Sequence, residues 1–179
     1  MTAPAVTPLF EAAALLLAGA GAVKLARPAD TARALKLAGL RGSSAGRERL
    51  VRAGAAAEVA VGAAAVAAPS AVTGALVAAS YAGFAAFIAL ALVRGWPISS
   101  CGCFGKPDTR PTPAHLVLDA AAAAAAIVWS ANHPPNLGKV FDGQPWAGVP
   151  LVLVTAVVAG LAYALFTNPL PGAVGARRS

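Results

Sequence analysis

The run AVTGALVAASYAGFAAFIALALV, residues 71–93, decides how the rest of the chain is read. It carries no charge, and Leu76, Tyr81, Phe84, Phe87, Ile88, Leu90 and Leu92 give it apolar bulk along its length. A helix rises 1.5 Å per residue, so about 20 mostly apolar residues cross the hydrocarbon core of a bilayer. This segment is predicted to span a membrane even in isolation. The composition around it points the same way: of 179 residues, 58% are apolar and 12% charged, against about 25% charged in a soluble domain. The expected fold class is all-α, an integral membrane helical bundle, and a soluble enzyme domain is disfavoured.

Working outward from that segment, four more stretches approach spanning length. Residues 53–68 are nearly all alanine, glycine and valine with Glu58 inside, and they end at Pro69-Ser70, which predicts a tight helical hairpin into the 71–93 span. The first span is expected from Val6 to Leu25, with Glu11 and Lys24 near its ends, where long side chains can snorkel to the interface. No Lys or Arg precedes Lys24, so this run lacks the basic start of a secretory signal and is taken as mature structure. Downstream, Ala114 to Ala131 forms the fourth span, with His115 and Asp119 on one face at a four-residue spacing. Gly148 to Thr167 forms the fifth and is closed by Asn168-Pro169. Trp96, Trp129 and Trp146 fall at span ends, where an indole prefers the head-group boundary. So much alanine and glycine predicts close backbone packing, the main source of helix association in lipid. The long connection 27–52 is expected to hold a short amphipathic helix over residues 28–40, broken by the Gly-Ser-Ser-Ala-Gly stretch after Arg41. The organisation that follows is a four-helix membrane unit over 1–131, then an outer connection, a fifth helix and a basic tail over 132–179.

The net charge is +7. Its basic residues lie between uncharged runs, a pattern that suits anionic lipid head groups and a topology signal and disfavours nucleic acid. With five spans, every Lys and Arg except Lys139 falls on one side of the membrane. The positive-inside rule then places the amino terminus and the 132–147 connection outside, and the 97–112 connection and carboxyl terminus in the cytoplasm, for a multi-pass protein of the cell's inner (plasma) membrane.

The most distinctive string is Ser99-Ser100-Cys101-Gly102-Cys103-Phe104-Gly105-Lys106, placed just after the 71–93 span. Cys101 and Cys103 are the chain's two cysteines, and a pair this close cannot close a loop useful for stability. Three readings are open. In the first, the pair is catalytic in thiol–disulfide exchange, with Lys106 or Arg110 favouring the thiolate and a small strained disulfide that is easily reduced. In the second, two small residues pack a tight interfacial turn. In the third, the sulfurs bind metal, but with His115 added a zinc site still lacks a ligand unless a second chain supplies it. Redox work needs an external partner, because there is no second cysteine pair: another thiol protein, or a membrane quinone lodged among the helices.

Ionisable residues at membrane depth are costly and are functional candidates by default. Glu58 is the most central, and either pairs with Lys24, stays protonated against backbone, or serves a ligand. Asp119 and His115 either relay protons near the cysteines or, for Asp119, simply favour the helix start through the macrodipole. No nucleotide-binding glycine loop, Gly-x-Ser-x-Gly elbow or His-Glu-x-x-His pair occurs.

Gly21-Ala22-Val23-Lys24-Leu25, Glu58-Val59-Ala60-Val61-Gly62 and Cys101-Gly102-Cys103-Phe104-Gly105, in this order and placement, resemble the methylamine utilisation MauE family within the wider DoxX-like membrane proteins, over about residues 8–131. The resemblance implies four core helices, with the fifth span an addition. It also implies a role in maturing methylamine dehydrogenase, whose small subunit is rich in disulfides. By that resemblance Cys101 and Cys103 would be the redox pair, and Lys24 and Glu58 the intramembrane polar residues. The functional expectation is a membrane accessory in thiol–disulfide redox or maturation of a partner; a noncatalytic scaffold, or a bundle that binds a quinone or other small molecule around Glu58, is the alternative.

Overall fold

The computed structural model describes residues 3–96, 111–132 and 145–167, and six helices lie among these described residues. They are α1 (Ala3–Ala26), α2 (Pro28–Leu37), α3 (Ser44–Ala67), α4 (Ala71–Arg94), α5 (Pro113–Asn132) and α6 (Pro145–Thr167). No strand occurs among the described residues. Among the described residues, four helices are long and apolar enough to cross a membrane: Val6–Ala26 within α1, then α3, α4 and α5. The fifth expected span forms helix α6, 23 residues long and packed on α1 and α5.

Local chemistry explains the boundaries. Ser70 begins α4 with a capping box: its hydroxyl accepts from the Thr73 N–H at 3.2 Å, and the Thr73 hydroxyl accepts from the Ser70 N–H at 2.8 Å. Gly95 ends the helix in the left-handed region at φ 60, which glycine adopts without strain, and Trp96 N–H returns to the Ala91 carbonyl. At α3, Ser43 accepts from Gly46 N–H at 3.0 Å. α2 is stopped earlier, at Gly39, whose φ of 94 lets its N–H and that of Leu40 return to the Lys36 and Leu35 carbonyls, so the serine stretch expected to break it instead caps α3. For this reason α3 starts at Ser44 and not near residue 53. Arg47, Arg49 and Arg52, expected in a connection, ride on the first turns of a spanning helix. α2 takes Pro28 at its first position, where a missing N–H costs nothing. It buries Pro28, Ala32 and Ala34 against the bundle and runs to Leu37, three residues short of the expected end.

α1 is the central helix, touching α3, α4, α5 and α6. Phe10, Ala14 and Leu17 on it are fully enclosed, with Ala65 of α3, Val77 and Tyr81 of α4 and Ala126 of α5 around them. Across α1 and α3 the backbones meet at two glycines. A Cβ on Gly62 would stand 2.6 Å from the Ala14 carbonyl oxygen, and one on Gly21 would stand 2.7 Å from that of Ala55. Only glycine permits such an approach, and in lipid this van der Waals contact replaces hydrophobic collapse as the source of association. The outward faces are apolar in their turn: Val72, Val93, Val117 and Ile127 are all exposed, as lipid-facing positions should be.

Two expectations about membrane depth are corrected. Glu11 and Lys24 do not snorkel outward; both are buried, at 1% and 6% exposure. Both stand on the face of α1 that packs against other helices, so these two side chains meet protein and not the head groups. Trp129 is likewise no boundary residue. It is buried and stacks on Phe10 with ring centroids 4.1 Å apart, because at the end of α5 it points toward α1. Trp96 is half-buried, packed on Phe87 with Arg94 over its ring. The side chain of Trp146 lies outside the described set, as do the 133–144 connection with Lys139 and the tail after Thr167.

Candidate functional site

The neighbouring spans run antiparallel, and this sorts the polar residues by level. Gly62 meets Ala14 and Ala18, whereas Gly21 meets Ala55, Glu58 and Val59, so α1 runs back along α3 toward its start. Phe10, near the start of α1, stacks on Trp129, near the end of α5. One end of the bundle thus gathers the end of α1, the starts of α3 and α5, the end of α4, and helix α2. Every Lys and Arg of the described residues belongs to these segments: Lys24, Arg27, Arg33, Lys36, Arg41, Arg47, Arg49, Arg52 and Arg94. We call this the basic end.

At the basic end, Lys24 of α1 and Glu58 of α3 form an ion pair. Lys24 Nζ donates to both carboxylate oxygens, at 2.8 and 2.7 Å. The side chains are 7% and 14% exposed. Gly21, one turn before Lys24, sets this geometry by letting α1 settle against Ala55 and Glu58. The ammonium also stands 4.4 Å from the centre of the Phe84 ring, whose negative face favours a cation. Each charge alone would be expensive at this depth; together they are neutral and mutually hydrogen-bonded.

The pair forms one wall of a cavity of about 180 Å³. Thr31, Ala34 and Leu35 of α2 close it on one side, and Phe84, Phe87 and Ile88 of α4 on another. Leu50, Val51, Gly54 and Ala55 of α3 complete it, and Leu50, 56% exposed, stands at its rim. The wall is therefore mostly apolar and partly aromatic, with Lys24, Glu58 and Thr31 as its polar members. Phe84, Phe87 and Ile88 were read from sequence only as apolar bulk, although their spacing of three and four already puts them on one helix face. Thr31 had no sequence signal beyond its place in α2.

His115 and Asp119 lie one turn apart on the buried face of α5, at 2% and 1% exposure. Thr112 starts this helix: its carbonyl accepts from the His115 and Leu116 N–H groups, and its hydroxyl is 2.7 Å from His115 Nδ1. Asp119 sits in the second turn and is enclosed by protein, so the macrodipole at an exposed helix start is not its setting. The other buried carboxylate, Glu11, belongs to the opposite half of α1.

Cys101 and Cys103, with Lys106 and Arg110, lie outside the described residues. The residues flanking that segment, Trp96 after α4 and Pro111 before α5, are both at the basic end. Chain connectivity thus joins the cysteine segment to the end that carries Lys24, Glu58, His115 and Asp119. Among the described residues, no three His, Cys, Asp or Glu side chains gather so as to hold a metal ion.

A family model described as methylamine utilisation protein MauE matches residues 4–132, which include α1 to α5. Neither a curated protein nor a solved structure matches the chain.

Proposed function

The chain belongs to the methylamine utilisation protein MauE family, and from that premise we propose that it is a multi-pass membrane accessory in thiol–disulfide chemistry, in which Cys101 and Cys103 cycle between dithiol and disulfide with a partner thiol protein. The observation that carries this reading is the Cys101-Gly102-Cys103 string on the connection between α4 and α5, tied at both ends to the buried polar end of the bundle. Nearby Lys106 and Arg110 favour the thiolate, the form that attacks a partner disulfide. One cysteine attacks, forming a mixed disulfide and releasing the partner's second sulfur as a thiolate; the other cysteine then displaces the reduced partner and leaves the Cys101–Cys103 disulfide. The reverse sequence oxidises a partner dithiol.

In this reading the basic end faces the cytoplasm. The described Lys and Arg residues all collect there, and a cytoplasmic leaflet rich in anionic lipid attracts them. The amino terminus then faces outward, and α6, crossing as a fifth span, returns the basic tail to the inside. The partner is a thiol protein reached from the same side as the connection, and maturation of an enzyme of methylamine use is the setting that the family name suggests.

Two measurements test the reading. In membranes, a charged maleimide that cannot cross the bilayer should label the reduced cysteines in inverted vesicles and not in intact cells; the opposite result reverses the orientation. In purified protein, exchange with a model disulfide should be rapid, and Cys101→Ser and Cys103→Ser should each stop turnover. Unchanged exchange in the double serine variant would remove the redox role and leave a scaffold.

A further inference from the structure

We propose that the cavity between α2, α3 and α4 binds the ring head group of a membrane-soluble quinone. This goes beyond the thiol reading and does not depend on the cysteines, since every residue of the site lies on a described helix.

Size is the first argument. A dry protein cavity of about 150 Å³ takes up benzene, so about 180 Å³ accommodates one substituted six-membered ring. Chemistry is the second. The walls are apolar and include the rings of Phe84 and Phe87, suited to stacking on a flat ring. Lys24 and Thr31 are among the residues that line it. An ammonium has three donors, and Glu58 takes two of them, so one donor is left for a ring carbonyl. The ion pair is neutral as a whole, so the site suits a neutral ring with acceptor oxygens better than a free anion or cation.

Access is the third argument. Leu50 at the rim is more than half exposed and stands on the outer side of a membrane-spanning helix, so a hydrocarbon tail can leave the cavity toward lipid. α2 lies across the site with Ala34 and Leu35, placing it near the head-group level, where quinone rings can arrive from the bilayer. If the thiol reading also holds, this ring is a suitable two-electron acceptor: two thiols lose two electrons and two protons and become a disulfide, and the quinone gains both and becomes a quinol.

The test is binding of a decyl-tailed benzoquinone to the purified full chain in lipid nanodiscs, in the wild type and in Cys101→Ser/Cys103→Ser. Quenching of Trp96, whose ring centroid is 6.1 Å from that of the cavity residue Phe87, reports occupancy in a variant with Trp129 and Trp146 replaced by phenylalanine. Saturable quenching, equal with and without the cysteines, is expected. Affinity should fall tenfold or more in Ala34→Phe, which fills the cavity, and in Lys24→Met/Glu58→Leu, which keeps the packing but removes the donor. Leu50→Trp at the rim checks the cavity-filling result without touching α2. Quenching that rises linearly with quinone and is unmoved by these changes would overturn the proposal. So would equal displacement by decylbenzene, which has no oxygens, because the cavity would then be an acyl-chain groove. Loss of thiol exchange with binding intact would remove the redox role and leave this site standing.

Discussion

Removing the Lys24 charge while leaving Glu58 in place should destabilise the bundle more than removing both. At 2.7 Å, with an effective dielectric constant near 20, the Coulomb attraction between unit charges is about 6 kcal/mol. Much of this offsets the desolvation of two side chains that are 7% and 14% exposed. Truncating one partner strands the other, a loss of about 3–5 kcal/mol, whereas replacing both by apolar groups of similar volume is close to neutral. Lys24→Met and Glu58→Leu should therefore each lose about 3–5 kcal/mol, and the double variant should return to within about 1 kcal/mol of wild type. The assay is reversible unfolding in mixed micelles by titration with denaturing detergent, followed by circular dichroism. Raising the salt should change the coupling little, because a shielded pair is poorly screened. Additive losses in the double variant, or single losses below about 0.5 kcal/mol, would show that the pair is solvated and that the geometry at Gly21 does not force it inward.

Gly62→Ala puts a methyl against the Ala14 carbonyl and the Ala18 N–H and should cost about 1–3 kcal/mol in the same titration, whereas Gly83→Ala, with nothing within 4 Å, should gain up to about 1 kcal/mol from helix propensity. Trp129→Ala should cost about 3–5 kcal/mol, and in a single-tryptophan variant Trp129 should be shielded from aqueous acrylamide by its stack on Phe10. Ser70→Ala removes half of a capping box and should lower stability by about 1 kcal/mol, measured as an earlier unfolding midpoint with unchanged slope.

The spans were legible because hydrocarbon imposes a length and excludes charge, and residues 71–93 met both conditions without help from tertiary contacts. α4 runs from Ala71 to Arg94 accordingly. The start of α3 was not legible by that criterion. Arg47, Arg49 and Arg52 made residues 44–52 look like a loop, yet a helix can carry arginines through the interface, and the capping serine at 43 was the better guide. Which way a side chain points was hidden for a related reason. Hydropathy gives depth along a span but not rotation about it, so Trp129 could be assigned to a helix end and not to the face that meets Phe10. Glu11 and Lys24 were misplaced because they lie on the face of α1 that its neighbours cover, a property of the assembled bundle. The pairing of Lys24 with Glu58 was within reach of sequence as one of several alternatives; the cavity beside it was not, since its walls come from three helices.

The ion pair has no obvious duty in holding α1 to α3. Those helices already meet at Gly21 and Gly62, where backbone atoms approach as closely as glycine allows, and small-residue contacts of that kind suffice for association in lipid. An apolar pair at positions 24 and 58 would serve packing as well as charged groups do and avoid their desolvation. What an apolar pair would not supply is a hydrogen-bond donor set into an apolar wall beside two phenylalanine rings. The arrangement makes sense if that donor is used by something that enters the cavity from the bilayer, and the double variant separates the two roles: it should fold about as well as wild type and bind the ring at least tenfold less tightly.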